Sequence, residues 1–435
     1  MSVVIEYRIT GKRSVERLEP LLHQIHPALK FLPYQNCDSL ANEGSTCAQR
    51  MGFVWETYCE KTYWELHNRA VVLNRLHNNA ILESKSNFAY LGHLVQEHRM
   101  LETFVARNSE ELLNWIERRW GSAAVPRDGD DDGDDERDWW AVKVSAGNGG
   151  RDVHIMNRQN WRYVLQGLPN EEAVLQECVP RPLLYQGRKF HFRCYALLMG
   201  DMAAYLHRHC FILTSSLPYN PLEPCTSSEQ YASRLRMHVT NLSINKKFTG
   251  HPGQIPCNLP ADYPDVFLRL SSLWAEIVQA ARPYLRCQRS RRHFDFYGLD
   301  VVCSRPSSAH HNDDSGAVSE VHVIELNRLP GLESSALNTQ AEDALYDEMM
   351  RQALRIVLAP EISMSRRTTG DAPPAEDGGT GSGDTRDWVA VNSRPGDTDD
   401  PASQGDAGEG GLVSNMLRWR CLVKSLERRV LAQHN

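Results

Sequence analysis

The chain is predicted to be an α/β (α+β) protein, and three observations carry that expectation. Between residues 139 and 215, short apolar runs of strand length alternate with stretches of helical spacing. Near the end of the foldable part, Phe294 to Val302 and Val321 to Pro330 both show the alternation and clustering of apolar side chains found in paired strands. Ala341 to Leu358 then repeats apolar residues at helical spacing. With 435 residues, 41% hydrophobic and 24% charged, the chain can bury one large core or two to three medium lobes. No internal repeat is visible.

Taken in order, residues 1–75 open with the strand-like Val3-Val4-Ile5-Glu6-Tyr7 and continue with helical patterns, giving a small N-terminal α/β domain. Residues 76–235 form a central domain, mostly helical to about 125. An acidic loop at 126–138 interrupts it. Asp128, Asp130, Asp132 and Gly133 imitate the start of a calcium loop, but Trp139 stands where a bidentate Glu is needed, so a self-repelling surface loop is the simpler account. Residues 236–360 form a C-terminal domain containing the paired strands. Residues 361–411, rich in Gly, Asp, Pro, Ser and Thr, are expected to be a disordered acidic linker. Residues 412–435 place Leu412, Met416, Trp419, Val423 and Leu426 among Arg418, Arg420, Lys424 and Arg428, the pattern of a basic amphipathic helix that docks on the core or binds an acidic partner.

Composition excludes several classes of protein. No apolar run approaches the roughly 18 residues of a membrane span, and the N-terminal residues lack a signal-peptide pattern, so no membrane partner and a cytoplasmic location are expected. The 11 cysteines contain no Cys-x-x-Cys pair and fit reduced thiols. The net charge of −7 is concentrated in the two acidic segments, which leaves the remainder near neutral or basic. No nucleic-acid partner is expected.

The chemistry is concentrated in a few positions. Glu325 and Asn327 are two residues apart on a strand and share a face, and Asp300 joins them if the two strands pair. Two carboxylates and an amide oxygen are hard ligands that suit Mg²⁺, an ion that shares its shell with nucleotide phosphates. The alternative is a hairpin with a solvent-facing acid on each arm. Upstream, Lys143 lies on a strand that enters the Gly-rich turn Gly147-Asn148-Gly149-Gly150, whose backbone could approach phosphate oxygens although it is not a Walker loop; taken alone, the segment reads first as a plain hairpin. Lys189, His191 and Arg193 share one face of another strand. Three cation-capable groups on a buried strand require something anionic opposite, a triphosphate or a carboxylate.

This order of motifs (Lys143 with its glycine turn, Gln176 to Val179, Lys189 to Arg193, His238-Val239-Thr240-Asn241, Asp300, then Glu325-Leu326-Asn327) resembles the tubulin tyrosine ligase family, whose catalytic part has the ATP-grasp fold. The resemblance is strong from about Trp139 to Pro330 and weaker from about Trp55 through Asn74 and Lys85. It implies ATP-grasp lobes behind the small N-terminal domain, with ATP and Mg²⁺ as cofactors. Lys85, Lys143 and Lys189 would contact the phosphates, the backbone of Gln176, Glu177, Cys178 and Val179 would hold adenine, and His191, Thr240 and Asn241 would line the nucleotide site. Asp300, Glu325 and Asn327 would hold Mg²⁺, while Arg193 and Arg208 would orient the acceptor carboxylate or its phosphorylated form. The implied reaction adds a free amino acid, tyrosine before glutamate or glycine, to the acidic C-terminal tail of tubulin in the cytoplasm and at the cytoskeleton. An inactive binding protein that keeps the fold is the reading from another class. Two positions depart from the family pattern: His191 stands where Asp is usual, and Gly149 stands where a second basic residue is usual, with Arg151 two places later.

Overall fold

The computed structural model describes residues 3–10, 12–27, 29–33, 52–55, 71–95, 100–121, 139–145, 153–220, 228–245, 247–248, 250–285, 292–306, 318–328, 330, 339–360, 362–363 and 385–391. Three sheets follow one another along the chain. The first is parallel, with strands β1 (Val3–Ile9), β2 (Leu29–Pro33), β3 (Gly52–Trp55) and β4 (Val71–Leu73) in the order β2-β1-β3-β4 and helix α1 (Lys12–Leu22) after β1. Two short helices, α2 (Ala80–Glu83) and α3 (Lys85–Gly92), lead out of it.

The second sheet is antiparallel, with β5 (Thr103–Ala106), β6 (Trp140–Val144), β7 (Val153–Met156) and β8 (Ala173–Glu177) in the order β5-β8-β6-β7. It carries α4 (Ser109–Trp120) and α5 (Trp161–Gly167). The local sequence accounts for α4: the side chain of Asn108 accepts from the backbone N–H of Glu111, Glu110 and Glu111 lie at the positive end of the helix dipole, Arg118 and Arg119 lie at the negative end, and Gly121 follows at φ 78°. Leu112, Trp115, Ile116 and Trp120 recur on one face and are buried against Trp140 and Leu175, each contributing about 1.5–3 kcal/mol of apolar burial. Among the described residues from 76 to 121, helices α2, α3 and α4 are interrupted by β5, a four-residue strand too short to leave a periodic signal.

The third sheet has eight strands: β9 (Leu184–Tyr185), β10 (Arg188–Met199), β11 (Ala204–His207), β12 (His209–Thr214), β13 (Gln254–Asn258), β14 (Phe294–Ser304), β15 (Glu320–Arg328) and β16 (Trp388–Ala390). Helices α6 (Ser228–His238), α7 (Leu242–Asn245), α8 (Leu259–Asp262), α9 (Pro264–Ala281) and α10 (Gln340–Val357) accompany it. Strand β10 is the hub, pairing with β12 along its first half, with β11 along its second half, and with β14 on its other edge. Helix α10 starts at a capping box, in which Thr339 and Glu342 satisfy each other's backbone N–H groups. Its buried face, Tyr346, Met349, Met350, Ala353 and Leu354, joins the third sheet to Ile5 and Phe53 of the first and to Leu18 of α1 in one core.

Two expected boundaries are corrected. Strands from both sides of 235/236 bond into the same sheet, and the change of sheet falls between Glu177 and Leu184. The segment 361–411 is not wholly a linker, because Trp388–Ala390 forms β16 on the edge of β11, with Trp388 buried. The acidic loop 126–138, the glycine turn 147–150, Arg151 and the helix expected at 412–435 lie outside the described residues. Among the described residues, no helix is long and apolar enough to cross a membrane.

Candidate active site

A cavity of about 740 Å³ opens between the second and third sheets. Every expected site residue lines it except Arg208: Lys85, Lys143, Gln176, Glu177, Cys178, Val179, Lys189, His191, Arg193, Thr240, Asn241, Asp300, Glu325 and Asn327. Arg208 sits at the bend between β11 and β12, where its Nε donates to the carbonyl of Arg386 at 3.2 Å. Its guanidinium lies 6.0 Å from the centre of the Phe267 ring, outside the cavity lining, where the resemblance implied a place beside the substrate. The residue that β12 does present to the cavity is the apolar Leu213.

Strands β14 and β15 pair in a register that sets Asp300 opposite Glu325 and Gly298 opposite Asn327. A bulge follows, since the next pair is Val301 with Val323 and Ile324 is left over. The freed Ile324 carbonyl accepts from Lys143 Nζ at 3.2 Å, and the same ammonium donates to Gln176 Oε1 at 2.8 Å. Lys143 thus bridges the two sheets across the cavity. Burial lowers its pKa, and the opposing pull of Glu325 and Asp300 does not reverse the shift.

The shared face of β10 meets three different partners. Lys189 Nζ lies 3.2 Å from His238 Nδ1 and 4.9 Å from the centre of the Tyr219 ring. His191 Nδ1 lies 2.6 Å from the Thr240 hydroxyl, and its Nε2 lies 3.6 Å from Asp300. Burial pulls the His191 pKa down to about 4, aided by the Arg193 and Lys143 charges against the attraction of Asp300, so the ring is neutral at pH 7. Arg193 grips both oxygens of Asp300. The anion expected opposite this basic face is, for Arg193, a carboxylate of the protein itself.

The donor set of Asp300, Glu325 and Asn327 fits a hard divalent cation. Asp300 accepts from Arg193, and Asn327 Nδ2 lies 3.4 Å from its Oδ2, yet a carboxylate has about four lone-pair sites, so further oxygen lone pairs remain. With Asn327 Nδ2 directed at Asp300, its Oδ1 is the atom left to offer a cation. Sequence reasoning missed Thr339, Glu342 and Tyr346 of α10, which also line the cavity. The Thr-x-x-Glu capping signature marked the start of that helix but not its approach to the site.

Comparison with solved structures gives the chain an ATP-grasp fold. The chain is similar to the C-terminal domain of Kluyveromyces lactis Pby1, described as an ATP-grasp enzyme interacting with the mRNA decapping enzyme Dcp2, with a TM-score of 0.55 and 15% identity over 90% of this chain and 99% of that one. Residues 69–255 match the sequence profile of the Tubulin-tyrosine ligase family. Among curated relatives it is 24% identical over 212 residues to the probable tubulin–tyrosine ligase PBY1 of Saccharomyces cerevisiae, covering 46% of this chain and 26% of that protein. It is 22% identical over 289 residues to the tubulin monoglycylase TTLL3 of Mus musculus, covering 62% of this chain and 28% of that protein. The chain therefore spans about a quarter of the length of these relatives.

Proposed function

We propose that this protein is an ATP-dependent carboxylate–amine ligase that joins an amino acid to the acidic C-terminal tail of tubulin, with tyrosine as the first candidate. The observation that carries the reading is the convergence of Lys143, Lys189, Asp300, Glu325 and Asn327 on one cavity. Lys85, Lys143 and Lys189 would meet the triphosphate, and the strand end from Gln176 to Val179 would hold adenine, with Thr240 and Asn241 at its side. Asp300, Glu325 and Asn327 would hold Mg²⁺, which when bound supplies charge neutralisation between carboxylates and phosphates.

In the proposed reaction an acceptor carboxylate oxygen bonds to the γ-phosphorus as the bond to ADP breaks. The amine nitrogen of the amino acid then bonds to the acyl carbon, and inorganic phosphate leaves. Two of the five N–H donors of Arg193 are engaged by Asp300, and the others would orient the acceptor carboxylate or the acyl phosphate. His191 would act as a neutral hydrogen-bonding group beside Thr240.

A second acceptor is favoured by one specific likeness: the K. lactis domain whose fold is similar is described as interacting with the mRNA decapping enzyme Dcp2. The mouse relative is named as a glycylase, which keeps glycine among the candidate amino acids. The test supplies the protein with ATP, Mg²⁺ and tubulin lacking its terminal tyrosine, and in parallel with Dcp2, and adds labelled tyrosine, glutamate or glycine. Incorporation that is lost in Glu325→Gln is the expected result. ATP binding without incorporation into either acceptor would overturn the tubulin reading.

A further inference from the structure

The bend that carries Arg208 out of the active site creates a second constellation. Strand β11 ends at His207 and β12 begins at His209, so the two imidazoles flank one residue. Strand β16 pairs with β11 through His207 and Trp388, and this brings Asp387 to the same bend, where its carbonyl accepts from the Arg208 N–H at 2.7 Å. One ligand atom from each of His207, His209 and Asp387 lies within 4.8 Å of the others. None of the three lines the 740 Å³ cavity.

A structural packing role accounts for part of this. The His207 and Trp388 rings meet edge to face at 4.9 Å, and an aromatic contact of that kind needs no ligand. It does not account for the nitrogens. His207 is only 1% exposed and its Nε2 has no hydrogen-bond partner, and the shielded Nδ1 of His209 has none either. Two orphaned imidazole nitrogens at one bend are unusual, because buried polar atoms are almost always paired. His207 Nδ1 lies 3.1 Å from both the carbonyl oxygen and the backbone N–H of His209, so the bend accommodates either tautomer. In the one that donates to the carbonyl, Nε2 keeps its lone pair, as metal-binding histidines commonly do. On the acidic side, Gln352 Nε2 donates to Asp387 Oδ2 at 3.0 Å and fixes that carboxylate while leaving Oδ1.

We propose that His207, His209 and Asp387 form a binding site for a divalent transition metal, Zn²⁺ by donor chemistry, that clamps the 385–391 segment to the edge of the third sheet. Two imidazoles and a carboxylate select Zn²⁺ over Mg²⁺ or Ca²⁺, which take all-oxygen shells. Bond lengths of about 2.0–2.2 Å to nitrogen and oxygen draw the three side chains inward, and a water completes four-coordination. The site holds two chain segments nearly two hundred residues apart, which a three-residue strand does weakly by itself.

The experiment uses the full chain, freed of metal with a chelator and titrated with Co²⁺ alone. The expected result is one equivalent bound, with visible d–d absorption, no thiolate-to-cobalt charge transfer, and displacement by Zn²⁺. His209→Ala and Asp387→Asn, both at partly exposed positions, are expected to weaken binding at least about tenfold each while keeping the near-UV circular dichroism of the metal-free protein. Absence of the absorption, a thiolate charge-transfer band, or either folded variant keeping the wild-type affinity would overturn the proposal. If one variant does not fold, the other decides.

Discussion

Arg193 on β10 and Asp300 on β14 are direct partners across two antiparallel strands and are joined twice, Nε to Oδ1 at 2.5 Å and Nη2 to Oδ2 at 3.2 Å. Burial alone would lower the arginine pKa, but the adjacent carboxylate outweighs it and holds the guanidinium charged. Removing one member of such a pair strands a buried charge, at a cost of about 3–5 kcal/mol. Asp300→Asn is accordingly expected to lower unfolding stability by about 3 kcal/mol. Arg193→Met combined with Asp300→Leu should lose less than the sum of the two single changes. A double-mutant cycle in denaturant measures this, and additive losses would show that the two side chains are not coupled.

Gly298, next to this pair, has no room for a side chain. A Cβ there would lie 2.6 Å from Pro330 Cβ and 3.1 Å from Arg193 Cδ. Gly298→Ala must therefore move the proline or the arginine, and overpacking of this size costs about 1–3 kcal/mol. The expected outcome is a lower melting temperature together with a loss of ligase turnover greater than the stability loss explains, since Arg193 is displaced from Asp300. Unchanged turnover and melting would mean that the strand shifts freely.

Acid should weaken the fold through His191. Its folded pKa of about 4 lies below the roughly 6.5 of an unfolded histidine, so between those values the unfolded chain binds a proton that the folded chain does not. Stability then falls as pH drops through that window, by about 3 kcal/mol in total for this residue. His191→Gln should flatten the pH dependence of the unfolding free energy by about one proton. His238, whose pKa burial also depresses, leaves a residual slope of the same sign. A slope unchanged in the variant would show that His191 does not supply the proton.

Much of this site was legible in the chain because its information is local. The alternation in Val323-Ile324-Glu325-Leu326-Asn327 puts the two polar residues on one face, and a hairpin partner brings Asp300 to them. The Ile324 bulge was not legible, because it arises from a mismatch between strand registers that neither run contains alone. Nor was the exit of Arg208 from the cavity: alternation tells which residues share a face within a strand and does not carry through a one-residue bend. The order of the third sheet depends on β10 gathering partners from 184 to 328, contacts that no short window holds.

Strand β16 is the clearest case. Three residues within a Gly- and Asp-rich segment carry no periodic signal, yet Trp388 is buried against Phe296 and His207 and its indole N–H donates to the Met349 carbonyl at 3.4 Å. For a residue in a solvated linker, Trp388→Ala would change stability by no more than about 0.5 kcal/mol. For a buried tryptophan the loss is about 3–5 kcal/mol. The larger value is expected, with proteolysis between β15 and β16 becoming faster as the strand detaches. A shift within the smaller range would place Trp388 in solvent.

Lys143 separates chemistry from architecture. The residue is 8% exposed and its ammonium joins Gln176 to the Ile324 carbonyl, so a purely structural account makes it a brace between two sheets. A brace at that position is a poor stabiliser, because burying an ammonium offsets most of what its two hydrogen bonds contribute, and the lowered pKa reports that burial directly. Lys143→Met keeps the length and apolar stem and removes the charge. The expected outcome is unfolding stability within about 1–2 kcal/mol of wild type, with ATP affinity and ligase turnover both reduced, turnover by about a hundredfold or more. The opposite pattern, a large loss of stability with ATP binding intact in the remaining folded protein, would assign the lysine to the scaffold. Under the proposed function the two roles are compatible: the strand geometry that holds Nζ against the Ile324 carbonyl would also keep a cation in place for an incoming triphosphate.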